Sequence, residues 1–200
     1  MRKILLFVWA CMGLVCLMSA CKTSVKSKEW KLVWVEDFDQ KNSFDESVWT
    51  KIPRGTSDWN NYMSYYDSCY AMQDGNLILR GIANHTQKND TAPYLTGGVY
   101  TKGKKLFTGG RVEVCARLQA AKGAWPAIWM LPEKAEWPKG GEIDIMERLN
   151  HDHIAYQTTH SYYTHILGIK DNPPHGGINK INPEEYNIYS VDIYPDSLVF

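Results

Sequence analysis

Three carboxylates fall within the short stretch Glu142–Glu147, which reads Glu-Ile-Asp-Ile-Met-Glu. Two carboxyl groups that face one sugar can share the work of hydrolysis, one as a nucleophile and the other as a proton donor. The alternative is that these acids form the solvated face of an amphipathic strand. Three like charges on one face repel each other, however, so that surface would be unfavourable. The stretch is therefore the main candidate for chemistry in this chain.

Regular secondary structure does not bring these three carboxylates together. On a helix, residues five apart differ by about 140°, so Glu142 and Glu147 would point away from each other. On a flat strand, Glu142 and Asp144 share one face while Glu147 lies on the other. A β-bulge that absorbs one residue near Ile145 and Met146 restores the phase. We therefore predict a bulge that places all three carboxylates on one surface.

The predicted bulge sets the separation of the two outer carboxyl groups. Four effective strand steps of about 3.3 Å place the Cα atoms of Glu142 and Glu147 about 13 Å apart, and each side chain recovers about 4 Å. The remaining distance of about 5 Å is that of a retaining glycosidase, whereas an inverting pair leaves room for a water molecule. Asp144 between them would raise the proton affinity of its neighbours, which helps one glutamate to stay protonated near neutral pH.

The rest of the chain has the pattern of an all-β protein. From Trp30 onward, Gly, Pro, Asn and Asp recur every eight to twelve residues, with short apolar or alternating runs between them. In the run 111–118, apolar residues alternate with polar ones, as expected for a strand with one buried face. We predict a β-sandwich or barrel with strands at 31–35, 76–80, 98–101, 111–118, 127–131, 142–146, 154–159, 186–193 and 198–200.

The stretch Glu142–Glu147 resembles the signature of glycoside hydrolase family 16, in the form with one extra residue before the last glutamate. Supporting motifs occur in the same order along the chain, at Trp30–Trp34, Glu36–Phe38, Asp74–Leu77, Thr96–Gly98, Gly110–Glu113, Gly123–Pro132 and Thr158–His160. The resemblance covers residues 30–200. It implies a β-jelly roll of two antiparallel sheets with a concave substrate cleft. It also implies that Glu142 is the nucleophile, Glu147 the acid/base and Asp144 the carboxylate between them.

The resemblance implies endo-hydrolysis of a β-linked polysaccharide with retention of configuration. The form with the extra residue is similar to laminarinases, agarases, carrageenases and some mixed-linkage β-glucanases. Few bases lie near the catalytic strand in sequence, namely Lys134, Lys139 and Arg148, which argues against a sulfated galactan. We expect β-1,3-glucan or mixed β-1,3/1,4-glucan as the substrate. The alternatives are an agarase-like or porphyranase-like endo-β-galactanase and a glycan-binding lipoprotein without activity.

Five residues are candidate substrate contacts by the same resemblance. Trp125 and Trp137 match cleft positions where a ring stacks on a sugar, and His160 matches a histidine that can hydrogen-bond the sugar or the acid/base. A purely structural role is the alternative for all three. Trp59 and Asn61 lie where laminarinase-like members carry an Asn/Glu motif, but the glutamate is missing here. That difference weakens an assignment to strict β-1,3-glucan cleavage.

Composition restricts the other classes of function. The 22 basic and 22 acidic residues leave no net charge with which to hold a polyanion, so a general nucleic-acid binder is excluded. Eight Trp and 12 Tyr against five Phe favour either sugar-stacking surfaces or a large β core, and we expect Trp129 in the core.

His151 and His153 flank Asp152 without an evident third ligand, so we predict no metal and no cofactor. We expect a monomer.

The N-terminal region has the pattern of an export signal. Two basic residues precede an apolar run over 4–15, and small residues lead directly into Cys21. This pattern predicts a signal peptide over 1–20, because the apolar run is short for an anchor helix. The stretch 17–21 resembles a bacterial lipobox. That resemblance implies a lipid on Cys21 and a membrane-anchored protein of the cell envelope, on its periplasmic face or surface. Residues 21–29 are expected to form a flexible tether.

Two cysteines remain in the predicted folded part. Cys69 and Cys115 either form a single disulfide or stay as two separate buried thiols, and their spacing does not resemble a metal or redox motif. The last three residues, 198–200, begin a new strand. Because domains rarely finish in the middle of a strand, we expect further strands after Phe200 and a domain that is incomplete at its C-terminal end.

Overall fold

The structure is a computed structural model that describes residues 30–40, 42–119, 121–169 and 174–200. The predicted signal peptide and the tether, 1–20 and 21–29, lie outside the described residues. The described residues from 32 to 200 form one compact unit. Within the described ranges, no helix has the length and apolar character needed to cross a membrane.

The described residues form thirteen strands and two short helical turns, so the prediction of an all-β protein is confirmed. The strands are β1 (Thr50–Lys51), β2 (Tyr70–Gln73), β3 (Asn76–Leu79), β4 (Gly81–Ala83), β5 (Tyr94–Thr96), β6 (Val99–Tyr100), β7 (Gly110–Ala116), β8 (Ala127–Met130), β9 (Glu142–Glu147), β10 (Ile154–His160), β11 (Gly176–Lys180), β12 (Asn187–Ile193) and β13 (Leu198–Val199). A 3₁₀ turn, Asp67–Cys69, precedes β2, and a π-helical turn, Tyr162–Ile166, follows β10.

Two antiparallel sheets pack on one apolar core. The first has the strand order β11-β10-β9-β8 and the second β13-β12-β7, while the pairs β1–β6, β2–β3 and β4–β5 form small ribbons. The buried residues of the core come from both sheets and the segment after β7: Leu118, Ile145, Met146, Ala155, Tyr189 and Val191. Strand β9 thus has a paired neighbour on each side, and one of its faces rests on the core.

Strand β7 shows why the alternating pattern was informative. Val112 and Val114 are partly buried on the inner face, while Arg111 and Glu113 are exposed. Across the ladder, Arg111 is paired with Asp192 of β12 and donates hydrogen bonds of 2.6 and 3.0 Å to its carboxylate. The inner face therefore packs on the core while an ion pair joins the two strands.

The strand predicted at 31–35 is wrong. These residues form no strand, and Leu32, Val33 and Val35 are exposed. An apolar run becomes a strand only where a neighbouring strand pairs with it. The other predicted strands agree with the structure to within two residues at each end. Strands β1, β2, β4, β5 and β11 were not predicted because they are short or, like the fully exposed β11, lack an apolar pattern.

The two cysteines of the described part do not form a disulfide. Cys69 is buried and Cys115 is exposed, and both are free thiols. The alternative of two buried thiols is therefore wrong for Cys115, since it lies on the solvent face of β7. Burial raises the pKa of the Cys69 thiol, which keeps it protonated.

Candidate active site

Strand β9 contains a β-bulge at the predicted place. On the neighbouring strand β10, Tyr156 is paired with Glu147 and Thr158 with Asp144, so three steps along β9 lie opposite two steps along β10. The pairing of β9 with β8 slips by one residue at the same point. Ile145 is the extra residue, because it lies inside both slips. The prediction of a bulge near Ile145 is confirmed.

The bulge puts the three carboxylates on the same face of the sheet. Glu142, Asp144 and Glu147 pair with alternate residues of β10, which share one face of that strand. Ile143 and Met146 pack on the core from the other side. Asp144 is only 2% exposed, whereas Glu142 and Glu147 are partly open. The site is thus a buried central carboxyl group flanked by two accessible ones.

The buried position of Asp144 controls its protonation. Burial, followed by the negative charges of Glu147 and Glu142 and a hydrogen bond with Glu142, raises the pKa of Asp144 to about 8. Asp144 therefore keeps its proton at neutral pH and acts as a donor. Burial is the largest cause of this shift, because the carboxyl group of Asp144 is removed from water.

His160 lies over the same carboxyl group. It is paired with Glu142 across the ladder, and its Nε2 is 3.3 Å from Oδ2 of Asp144. Among the described residues, none donates a hydrogen bond to this Oδ2 atom. Because Asp144 is neutral below pH about 8, the contact is not an ion pair near neutral pH. The structure thus brings the predicted His160 to the centre of the site.

Each outer glutamate accepts a hydrogen bond from its own indole. Nε1 of Trp125 is 2.8 Å from Oε1 of Glu147, and Nε1 of Trp137 is 2.5 Å from Oε2 of Glu142. The two rings come from the loops before and after β8, and they remain 49% and 48% exposed. About half of each side chain is therefore accessible to solvent, while the N–H groups orient the carboxylates. Sequence placed both rings near the cleft but contained no signal for these two bonds.

His165, which the sequence did not identify as a site residue, packs against Trp137. The ring of His165 meets the indole edge to face, with centroids 4.4 Å apart. His165 belongs to the π-helical turn, whose start is capped reciprocally: Thr164 N donates to Ser161 Oγ at 3.2 Å, and Ser161 N donates to Thr164 Oγ1 at 2.9 Å. The residue pattern around His165 carries no motif that would have indicated this contact.

Trp129 faces the site, so the expectation that it lies in the core is wrong. It is paired with Asp144 across β8 and β9, while its neighbours Ile128 and Met130 occupy the core side of β8. The ring of Trp59 packs edge-on against Trp129 at 5.0 Å, which brings this predicted cleft residue to the carboxylate face. Asn61 follows nearby in sequence. Its Oδ1 is buried and accepts no hydrogen bond from the described residues.

With this geometry, comparison with known proteins identifies the family. The model described as "XgeA-like, catalytic GH16 domain" matches residues 67–180, which is more than half of the chain. The chain belongs to glycoside hydrolase family 16. The family is thus the one that the stretch Glu142–Glu147 resembled.

Individual relatives agree with this assignment. The chain is 37% identical over 183 residues to a keratan-sulfate endo-1,4-β-galactosidase of Sphingobacterium multivorum, and 30% identical over 195 residues to a β-glucanase of Rhodothermus marinus. The two matches cover 89% and 92% of this chain but 42% and 66% of the relatives. The chain therefore spans less than two thirds of the length of each relative.

Solved structures confirm the fold. The laminarinase of Rhodothermus marinus superposes with a TM-score of 0.73 at 29% identity, over 85% of this chain and 70% of that chain. This similarity and the two packed antiparallel sheets confirm the predicted β-jelly roll. In this family member the bulged strand β9 lies at the middle of the four-stranded sheet.

Proposed function

We propose that this chain is the catalytic domain of a retaining endo-β-glucanase that hydrolyses β-1,3-glucan or mixed β-1,3/1,4-glucan. The observation that carries the proposal is the bulge at Ile145, which puts Glu142, Asp144 and Glu147 on one face of the sheet. The similarity to a β-glucanase and to a laminarinase supports a glucan as the substrate.

The proposed reaction has two steps, and Glu142 and Glu147 take part in both. In the first, the Glu142 carboxylate attacks the anomeric carbon while Glu147 donates its proton to the departing glycosidic oxygen, so a glycosyl ester forms as the glycosidic bond breaks. In the second, Glu147 takes a proton from water, the water oxygen bonds to the anomeric carbon, and the Glu142 carboxylate leaves. Two displacements at one carbon retain its configuration.

The surrounding groups make Glu142 suited to both steps. The carboxylate of Glu142 accepts hydrogen bonds from the indole N–H of Trp137 and from the protonated carboxyl group of Asp144. These bonds hold its orientation for attack, and they stabilise its negative charge when it leaves the glycosyl ester. Trp125 orients Glu147 in the same way at the other end of the strand.

Aromatic rings supply the sugar-binding surface in this proposal. The half-exposed rings of Trp125 and Trp137 flank the carboxylates, and Trp59 adds a third ring through its contact with Trp129. The apolar faces of pyranose rings pack well on such surfaces. His160, at the centre of the site, is placed to hydrogen-bond a sugar hydroxyl group.

A galactan is the second candidate substrate, because the chain shares 37% identity with the keratan-sulfate endo-1,4-β-galactosidase. Glucose and galactose differ in the orientation of one hydroxyl group at C4. The same two carboxylates would therefore act on either sugar, and the surroundings of the cleft would select between them.

Release of reducing ends tests both candidates. The full chain is incubated with laminarin, barley β-glucan, agarose and keratan sulfate, beside Glu142→Gln and the control Glu113→Gln, an exposed glutamate of β7. We expect release from laminarin or barley β-glucan by wild type and Glu113→Gln, a loss of about 10⁴-fold or more in Glu142→Gln, and a first product of β configuration by proton NMR. Release from the galactans alone would refute the glucanase proposal and support a galactanase. Binding without release by wild type would refute enzymatic activity, and an α product would refute retention.

We also propose export and lipid anchoring. The basic residues, the apolar run and the small residues before Cys21 support a signal peptide over 1–20 and a lipid on Cys21, with a monomeric catalytic domain held at the cell envelope. Labelling with an alkyne fatty acid in a bacterial host tests this. Wild type and the control Cys16→Ser should carry the label and sediment with membranes, whereas Cys21→Ser should not. A label retained in Cys21→Ser would contradict the proposal.

A further inference from the structure

The extra residue of the bulge is held by a side chain from the next strand. Ile145 has no paired residue of its own on β8 or β10. Its carbonyl oxygen accepts a 3.1 Å hydrogen bond from Nε2 of Gln157, which is 7% exposed and lies on β10 opposite the bulge. A buried carbonyl group without a donor destabilises the structure, so this bond favours the bulged form of β9 over a regular strand.

A second side chain fixes the direction of that amide. The carbonyl of Ile145 can only accept, so the NH₂ end of the Gln157 amide must face it. The other end, Oε1, accepts a 2.6 Å hydrogen bond from Nδ2 of Asn179 on β11. The three groups form a directed chain from Asn179 through Gln157 to Ile145, across three adjacent strands. Each donor meets an acceptor in one arrangement only.

We infer that Gln157 and Asn179 are positioning residues that hold Glu147 in phase with Glu142 by maintaining the bulge. The inference rests on the proposed function, since it assigns the acid/base role to Glu147. A slip of one residue moves a side chain to the other face of a sheet. Glu147 follows the bulge and Glu142 precedes it, so relaxation of the bulge displaces Glu147 relative to the nucleophile. Gln157 and Asn179 therefore act through Glu147.

The variant Asn179→Asp tests this series of hydrogen bonds, because aspartate has nearly the same shape as asparagine. Asn179 is exposed, so the substitution leaves the core intact. A carboxylate cannot donate to Oε1 of Gln157, and the amide then turns its oxygen toward the Ile145 carbonyl. The variant Gln157→Leu removes the donor altogether. We expect the polysaccharide kcat to fall about 10-fold to 100-fold in both variants, with KM little changed. The control Asn89→Asp makes the same substitution at an exposed loop residue and should match wild type.

Rescue by azide separates displacement of Glu147 from general damage. A 2,4-dinitrophenyl β-glycoside of an oligosaccharide that wild type cleaves has a leaving group that needs no proton, so Glu147 is then required only to activate water. Azide needs no base: its nitrogen bonds to the anomeric carbon as the bond to Glu142 breaks, and a β-glycosyl azide forms. We expect azide to accelerate Asn179→Asp, Gln157→Leu and the reference Glu147→Ala, and to leave wild type unchanged.

The reference variant distinguishes the two ways in which this test can fail. Without rescue of Glu147→Ala, the proposed acid/base role itself is refuted. If Glu147→Ala is rescued while Asn179→Asp keeps the wild-type kcat, or loses activity without rescue, the inference about positioning is overturned. Circular dichroism checks that Gln157→Leu folds, and Asn179→Asp decides the outcome where it does not.

Discussion

The indole N–H of Trp137 donates a hydrogen bond of 2.5 Å to Oε2 of Glu142, from the loop that leads into β9. The ring itself stays half exposed. One side chain thus combines two features: its N–H group orients the proposed nucleophile, and about half of its surface remains accessible. Trp125 does the same for Glu147 at the other end of the carboxylate row.

The variant Trp137→Phe should keep the aromatic face and lose the bond to Glu142. A hydrogen bond to a charged group contributes about 1.5–3 kcal/mol, so we expect kcat to fall about 10-fold to 100-fold with a smaller change in KM. Trp125→Phe should have a comparable effect through Glu147. Steady-state kinetics on the best polysaccharide measures both. Trp34→Phe is the matched control, since Trp34 packs on Trp49 and Phe107. A wild-type kcat in Trp137→Phe would show that the bond does not assist the reaction.

The variant His165→Ala should loosen Trp137 by removing the ring that meets it edge to face. Aromatic pairs contribute about 0.5–1.5 kcal/mol beyond the area that they bury, which corresponds to a decrease of up to about tenfold in kcat/KM. His165→Phe retains a ring and should restore most of the loss. Kinetics of the two variants, measured side by side, checks this. Equal values for His165→Ala and His165→Phe would mean that the ring contact is irrelevant to activity.

The pKa of Asp144 predicts how stability depends on pH. Its pKa is about 8 in the folded protein against an ordinary value of 3.8, so between these limits the folded state holds a proton that the unfolded state has released. The free energy of unfolding therefore decreases as pH rises through this interval, and the contribution is lost above pH about 8. In Asp144→Asn the group cannot ionise, so this part of the decrease should disappear.

Urea unfolding of wild type and Asp144→Asn at several pH values from 5 to 8.5 measures the effect of Asp144. We expect the unfolding free energy of wild type to decrease more steeply with rising pH than that of Asp144→Asn. Asp152→Asn serves as a control, because Asp152 lies in the turn after β9 and accepts a hydrogen bond from Tyr156. Parallel curves for wild type and Asp144→Asn would contradict the raised pKa.

The spacing of the acids was sufficient to predict the bulge, because a period of two leaves Glu142 and Glu147 out of phase unless one residue is absorbed. The expectation that Trp129 lies in the core, by contrast, was wrong. Local sequence could not show that Ile128 and Met130 take the core side of β8, which turns Trp129 toward Asp144. The strand predicted at 31–35 was wrong for a related reason, because this run has the apolar pattern of a strand but pairs with no described strand.

Sequence alone determined the all-β class, the family and the three acids, because these depend on residue types and on spacing within one strand. Only the tertiary structure decided which groups surround the acids. The indole donors to Glu142 and Glu147, the histidine on Asp144 and the amide chain from Asn179 to Ile145 join residues from different strands and loops. Such contacts depend on strand register and loop path, which arise when the sheets pack and which no local pattern in the chain encodes.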